Sequence, residues 1–383
     1  MERNATRCRA CPSNILRTLR TLRTACGIPI RRSQLDVPAL LFTHQTKFSM
    51  PQPIYPRPDA IQRTLISALA DGAVVSGSDL AQRMGISRAA IWKRIMSLRD
   101  LGLAISGSAG RGYQLAFPYE PLDADVISSM LSAQARESIT DVQVAWQVDS
   151  TNSVLMQRAP NDDRSASALL VEVQTSGRGR RGRAWHSAIG GSLILSLRWN
   201  FDRGMTALAG LSLVAGLCVV AALHDVGIRG VGLKWPNDVV SDGRKLAGIL
   251  VEIGGEAQSP CHAVIGIGIN IHINAVTAAS IDQPWIDVDS LAPSGHGAYR
   301  NRLAAALLSR LAQSLQEFNA EGFTPFLAEH ARYDALLGKR VGVDVPAERC
   351  GIALGVDQRG ALRIRGDEGE FLVETGEVSV RAA

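Results

Sequence analysis

Residues 174–185 read Gln174-Thr175-Ser176-Gly177-Arg178-Gly179-Arg180-Arg181-Gly182-Arg183-Ala184-Trp185. Four arginines and three glycines within seven residues cannot pack as core. Glycine allows close backbone approach, and arginine supplies charge and forked donors suited to phosphate or carboxylate. Gly177, Gly179 and Gly182 match the spacing of a dinucleotide-binding turn, but that motif must open a helix. Here the chain runs on through Trp185-His186-Ser187 and Gly190-Gly191 into a strand, Leu193 to Leu197. The segment is therefore read as an anion-binding loop between strands. As a single copy, it is also unlike the low-complexity Arg-Gly tracts that bind RNA.

The neighbouring elements must hold that loop against a site. Val142, Val144, Trp146 and Val148 alternate as a strand does, and that strand ends in Asp149-Ser150-Thr151-Asn152. Leu169 to Val173 forms the strand that enters the arginine loop. Leu233-Lys234-Trp235-Pro236-Asn237-Asp238 closes another strand, Asp242-Gly243 signals a hairpin, and Arg244 to Gly248 lead into strand Ile249 to Ile253. Ala263 to Ile271 forms a further strand, whose Gly266 and Gly268 leave room on one face for a ligand. An apolar pocket flanked by an arginine loop and a lysine suits a small acid plus a nucleotide. Taken singly, Ser150 and Thr151 could equally cap a helix, Asp238 could be a turn residue, and Lys234 a solvated strand end. His186, His262 and His272 lack metal-ligand spacing and read as structural.

Nearer the N-terminus, residues 59–117 predict three helices and a hairpin. Asp59 caps the first, with Ile61, Leu65, Ile66 and Leu69 at helical spacing, and Asp71-Gly72 ends it. The second starts at Ser76 or Ser78 and stops at Gly85. Ser87 caps the third, Ile86 and Ile91 form a hydrophobic staple, and Ile91, Ile95 and Leu98 face inward. Its outer face carries Arg88, Trp92, Lys93 and Arg99. A short helix, a tight turn and a second helix with basic outer residues form a helix-turn-helix, whose second helix can enter a major groove. Gly107 to Tyr113 reads as the tip of a wing, with Arg111 placed for a phosphate. A winged helix used for protein contact is the other reading of this module. Phe117 to Pro121 reads as a linker, and one helix is expected over 123–136.

The C-terminal third begins with an amphipathic helix, Tyr299 to Phe318, whose Leu303, Leu307, Leu311 and Leu315 recur every four residues, and a second helix near 324–336. From Gly338 onward short alternating strands predict a small barrel. It acts either in ligand or partner contact or only as a cap on the central sheet. Met205 to Leu223 carries no charge over 19 residues. Its glycines, Ala content and lack of an aromatic belt favour a buried helix over a membrane span. Residues 1–49 carry nine Lys or Arg against two acids, so the basic balance of +5 belongs to this arm and the rest of the chain sums to −2. The arm lacks a secretory h-region; its composition also suits a transit peptide, but Met50 opens directly into the patterned chain, so a misplaced start or a disordered tail is the favoured expectation. The six scattered cysteines suit free thiols in a reducing compartment.

Ser150-Thr151-Asn152, Gly177 to Trp185, Lys234 to Asp238, Lys245 to Glu252 and Gly266-Ile267-Gly268-Ile269-Asn270, in this order, resemble the bacterial bifunctional biotin–protein ligases that also repress the biotin operon. The resemblance covers about residues 59–383. It implies an α+β multidomain fold class. After a basic arm (1–58) come a winged helix-turn-helix (59–117), a central mixed-sheet ligase domain resembling class II aminoacyl-tRNA synthetases (123–337) and an SH3-like small β-barrel (338–383).

It also implies activation of biotin by ATP, with Mg²⁺ bridging the phosphates, to biotinyl-5′-AMP. Biotin then passes to a lysine of the biotin carboxyl carrier protein of acetyl-CoA carboxylase. By resemblance, Ser150, Thr151, Asn152 and Gln174 hold biotin, and Arg178, Gly179 and Arg180 close over biotin and the adenylate phosphate. Lys245 contacts the carboxyl–phosphate junction, and Asp238 orients or deprotonates the incoming lysine. Arg180, Lys245 and Asp238 are the catalytic set. Arg180, Arg183, Asn237 and Trp285 face the nucleotide, with Trp285 over the adenine although residues 275–297 depart from the family pattern. Ser87, Arg88, Ala89, Trp92, Lys93 and Arg111 face operator DNA. A cytoplasmic protein without a membrane partner, homodimeric when loaded with biotinyl-adenylate, is the implied state. A regulator without ligase activity and a lipoate-type ligase are the alternatives. The intact Lys245, Asp238 and arginine loop argue against the first, and the full Gly-Arg run against the second.

Overall fold

Asp59 accepts from the Gln62 N–H while the Gln62 side chain accepts from the Asp59 N–H, a reciprocal cap that opens α1 (Ala60–Leu69). The computed structural model describes residues 58–100, 102–108, 110–158, 166–187, 189–255, 260–292, 299–343, 349–374 and 380–382. The expectations for the basic arm and its three cysteines lie outside these residues. Ser76 caps α2 (Gly77–Met84), and Gly85 ends it in the left-handed conformation that glycine tolerates. The Ser87 hydroxyl accepts from the Ala90 N–H at 3.2 Å to start α3 (Arg88–Asp100), whose Ile91, Ile95 and Leu98 are fully buried. β1 (Ile105–Ser108) and β2 (Gly112–Leu115) pair antiparallel as the wing. Arg99 departs from its expected outward role: its Nε donates to the Ile105 carbonyl at 2.8 Å, fastening the wing to α3.

The expected linker is a packed joint. Phe117 and Tyr119 are buried, Phe117 stacks on His272 at 4.2 Å, and the Tyr119 N–H donates to the Ala70 carbonyl. Tyr119 and Ile189 complete the small winged-helix core, and Trp146 and Val173 pack against it. A module of this size is marginal on its own apolar burial, and its core gains cover from neighbouring strands. The helix expected over 123–136 is two helices, α4 (Ala124–Met130) and α5 (Ala133–Ser138). Leu131 turns extended, and the Ser132 hydroxyl accepts from the Ala135 N–H to start a new helix.

The central elements are β3 (Ile139–Val148), α6 (Thr151–Met156), β4 (Ala166–Gln174), β5 (Ser192–Phe201), α7 (Leu211–Asp225), β6 (Gly232–Lys234), β7 (Asp238–Ser241), β8 (Arg244–Gly255) and β9 (Cys261–Asn270). Then follow α8 (Ala275–Ala278), α9 (Val288–Leu291), α10 (Arg300–Glu321) and α11 (Leu327–Tyr333). The seven strands form one mixed sheet in the order β3-β4-β5-β9-β8-β7-β6, with β3 parallel to β4 and the other pairs antiparallel. Leu303, Leu307, Leu311 and Leu315 of α10 lie in the core with α7. The apolar stretch Met205–Asp225 is long enough to cross a membrane, yet 72% of its most apolar window is buried inside the protein. Its α-helix begins only at Leu211, after Gly210 in the left-handed region. The helix expected over 324–336 is also shorter. Asp334 leaves it to bridge Leu233, and the Ala335 N–H donates to the Leu233 carbonyl.

At the C-terminus β10 (Arg340–Val343), β11 (Arg349–Val356), β12 (Leu362–Gly366), β13 (Gly369–Val373) and β14 (Val380–Ala382) form an antiparallel sheet ordered β13-β12-β11-β10-β14. The Trp235 indole N–H donates to the Gly360 carbonyl at 2.9 Å, tying this sheet to the central one. Cys218, Cys261 and Cys350 are free thiols, and burial pushes the Cys218 pKa up to about 12.

Candidate functional site

The arginine loop is a hairpin. The Gly179 N–H donates to the Arg183 carbonyl at 2.7 Å and the Trp185 N–H to the Gly177 carbonyl at 2.9 Å. At its tip both Arg181 (φ 57°) and Gly182 (φ 72°) are left-handed, the demand of a two-residue primed turn. This hairpin forms one wall of a cavity of about 860 Å³ over strands β5, β8 and β9. Arg180 reaches inward, donating from Nη1 to the Asn237 side-chain oxygen at 3.3 Å. Burial lowers its pKa, Arg181 adds to the effect and Asp238 opposes it. A guanidinium in that setting gains from an arriving anion. Arg183 is exposed and contributes its carbonyl to the turn.

Across the cavity the side chains form a connected polar wall. The Thr151 N–H and hydroxyl both donate to the Gln174 side-chain oxygen, at 2.7 and 3.1 Å. The Ser196 hydroxyl stands 2.6 Å from both the Thr151 oxygen and the Asn152 Oδ1. Asn152 Nδ2 donates to Glu252 at 2.8 Å and to the Leu250 carbonyl at 3.2 Å. Ser150 caps α6, accepting from the Ser153 N–H at 3.4 Å, so the cap alternative holds for its hydroxyl. Ser196, fully buried, was not singled out from sequence. Its signal was a lone hydroxyl inside the aliphatic run 193–197. Glu252, at the end of the segment Lys245 to Glu252, has no role assigned from sequence, and it takes Arg178 as well. Arg178 Nη2 lies 3.0 Å from Glu252 and donates to the Ser153 hydroxyl at 3.0 Å, so it is paired away from the position expected over an acid and a phosphate.

At the far end, Lys245 Nζ lies 2.8 Å from Asp238 Oδ1 and 5.8 Å from the centre of the Trp185 ring. The Lys245 N–H donates to the Pro284 carbonyl and the Ile286 N–H to the Lys245 carbonyl, which brings Trp285 onto the cavity wall. Lys234 and Asn237 also line it. His272 pairs with Asp289 and stacks on Phe117, while burial lowers the His262 pKa. Among the described residues no three His, Cys, Asp or Glu side chains cluster as a metal would require.

Gly266 and Gly268 line the cavity, as expected, but the space directly above each is shared with a wall side chain. A Cβ at Gly266 would lie 2.3 Å from Asn152 Oδ1, and one at Gly268 would lie 2.4 Å from the Trp185 ring. These glycines let the wall side chains approach the sheet. Gly268→Ala is therefore expected to cost about 1–3 kcal/mol by overpacking. Urea unfolding checks it, and an unchanged midpoint means the ring moves freely.

In the winged helix, Ser87, Arg88, Ala89, Trp92, Lys93 and Arg111 are all exposed, on one helix and the wing tip. The structure thus gathers the expected site residues into two places, a charged cavity and a basic helix-and-wing surface. The cavity can hold two anionic groups side by side and neutralise charge as it develops.

The sequence matches two family models, the Biotin/lipoate A/B protein ligase family over residues 144–270 and an HTH domain over residues 62–114. It is 41% identical over 321 residues to the bifunctional ligase/repressor BirA of Salmonella typhimurium, covering 84% of this chain and 97% of that protein. It is 38% identical over 320 residues to the Escherichia coli protein of the same name, covering 83% and 97%. The fold is similar to the biotin protein ligase from Aquifex aeolicus in complex with biotin and ATP, with TM-score 0.54 and 26% identity, over 63% of this chain and 99% of that one.

Proposed function

The chain belongs to the bifunctional biotin–protein ligase and repressor family, and from that premise we propose how its residues divide the two activities. It is an ATP-dependent biotin ligase with repressor activity. In the first step a biotin carboxylate oxygen attacks the α-phosphorus of ATP. The bond to the β-phosphate breaks, releasing pyrophosphate and leaving biotinyl-5′-AMP. In the second, a lysine amine attacks the acyl carbon, AMP leaves and the amine loses a proton. The acceptor lysine belongs to the biotin carboxyl carrier protein of acetyl-CoA carboxylase.

The observation that carries this assignment is that Arg180 and the Lys245–Asp238 pair meet the Thr151–Gln174–Asn152 wall around one cavity. Ser150, Thr151, Asn152 and Gln174 hold biotin. Arg178, once released from Glu252, closes with Gly179 and Arg180 over the carboxylate and phosphate. Lys245 neutralises the charge that builds at the carboxyl–phosphate junction. Asp238, beside it, takes the proton of the incoming amine. Arg183, Asn237 and Trp285 face the nucleotide. Mg²⁺ enters as the salt of ATP, a setting in which the ion keeps phosphate and water ligands and needs few from protein. When bound it supplies charge neutralisation at the phosphates.

The decisive assay is transfer of labelled biotin to an apo carrier domain with ATP and Mg²⁺, with lipoate as the competing acid. Biotin-dependent labelling supports the reading. Pyrophosphate release with lipoate and none with biotin overturns it.

The same reading divides the chain into a winged helix (59–117), a ligase domain akin to class II aminoacyl-tRNA synthetases (123–337) and C-terminal strands that close as an SH3-like barrel (338–383). The loaded protein acts in the cytoplasm as a homodimer on two operator half-sites. Ser87, Arg88, Ala89, Trp92, Lys93 and Arg111 form its DNA face. Lys93→Ala is expected to weaken binding to all duplexes alike and to lower the slope of log affinity against log salt by about 1. An unchanged slope in a salt titration removes Lys93 from the phosphate contacts.

A further inference from the structure

We infer that Trp92 reads a thymine in the major groove of the operator, its indole packing on the 5-methyl group. The inference rests on the reading of α3 and the wing as the DNA face and goes beyond it by naming a base. Trp92 is 55% exposed, while Ile91, beside it in sequence, is fully buried. Among the described residues it is the only Phe, Trp or Tyr that is largely exposed. Leaving an indole in water forfeits a large hydrophobic gain, so such a residue is best explained by a surface it covers on binding.

Its position selects that surface. Trp92 lies in the second turn of α3, one turn beyond Arg88 and three residues beyond Ala89, in the N-terminal part of a recognition helix that reaches base edges. Lys93 and the wing's Arg111 are exposed too. Residues 76–112 carry six Lys or Arg against two acids, although the chain beyond the arm is slightly acidic. A positive setting around an aromatic suits a polyanion better than an apolar protein patch.

The chemistry then selects the base. Only thymine shows an apolar group in the major groove, and its O4 acceptor lies beside that methyl. The indole offers an apolar body and a single N–H donor, the matching pair. Cytosine would oppose that donor with its own amino group.

The test uses the full chain with biotin and ATP to enrich duplexes from a random pool. Each thymine of the enriched site is then replaced by deoxyuridine, which removes only the methyl. In each half-site one position is expected to respond, and a single replacement there to weaken binding by about fourfold, the worth of one methyl removed from water. Trp92→Ala should bind the thymine and deoxyuridine sites equally. If no replacement weakens the parent, or if Trp92→Ala keeps the preference, the thymine contact is wrong while DNA binding stands. If no duplex is enriched, the DNA reading of this face fails and the thymine contact falls with it.

Discussion

Lys245→Ala is expected to lower biotin-dependent ATP–pyrophosphate exchange by about 10²–10³-fold, or roughly 3–4 kcal/mol of transition-state stabilisation, with the fold retained. The ammonium is the cation that sits beside Asp238 at 2.8 Å on the cavity wall. Biotin activation brings two anions, the carboxylate and the α-phosphate, together, and a fixed cation at their junction lowers the barrier without reorganising water. The fold survives because the structural role of Lys245 is carried by its main chain, which bonds the Pro284 carbonyl and the Ile286 N–H. The substitution leaves those bonds intact. Asp238 loses a partner but keeps some solvent contact, so the stability cost is about 1 kcal/mol. Lys245→Arg should recover little, since a planar fork replaces a compact point charge. Arg180→Ala should lose exchange to a similar degree. Lys234→Ala should stay near the parent rate, because among the described residues its ammonium forms no side-chain hydrogen bond or ion pair in the cavity. Exchange at the parent rate by Lys245→Ala would remove the residue from catalysis.

The parts of this site legible in sequence are those fixed by local rules. The Ile91, Ile95 and Leu98 stripe, the α10 leucines and the Asp242-Gly243 turn follow from spacing alone, and the structure holds all of them. The Gly-Arg segment was legible as a loop between strands, because four arginines and three glycines cannot pack as core, and the structure puts it on the cavity wall. Less legible was who meets whom. Gly266 and Gly268 announce missing Cβ atoms but do not say that Asn152 and Trp185 fill the gap. Pairing of Arg178 with Glu252, 74 residues away, depends on how the hairpin after β4 meets β8 and has no local signal. The break at Ser132 arises because a hydroxyl cap competes with helix continuation, and propensity over 123–136 does not resolve that competition. The joint at 117–121 looked like a linker because Pro118 and Pro121 fall within five residues. Its burial follows from the small winged-helix core needing more apolar cover.

The same joint supports the largest expected loss of stability. Glu172→Ala should destabilise the protein by about 3–5 kcal/mol in urea unfolding, the cost of leaving a buried charge without its partner. Glu172 on β4 and Arg300 at the start of α10 are each almost wholly buried, with Arg300 Nη2 2.8 Å from Glu172 Oε2. Burial disfavours the Arg300 charge, but the Glu172 carboxylate, with smaller help from Tyr119, leaves its pKa above the usual arginine value. Arg300 also donates to the Glu120 carbonyl at 2.6 Å and the Ser192 carbonyl at 3.0 Å, and Glu172 Oε1 accepts the Leu122 N–H at 2.8 Å. The pair thus fastens the joint to β4 two residues before Gln174, so loosening it reaches the polar cavity wall as well as the winged helix. The double variant Glu172→Ala/Arg300→Met removes both charges and should be milder than Glu172→Ala alone, because no ion is left stranded. Equal midpoints for the parent and Glu172→Ala would show that carbonyl contacts alone hold Arg300. A double variant as unstable as the sum of the singles would show that the two side chains act independently.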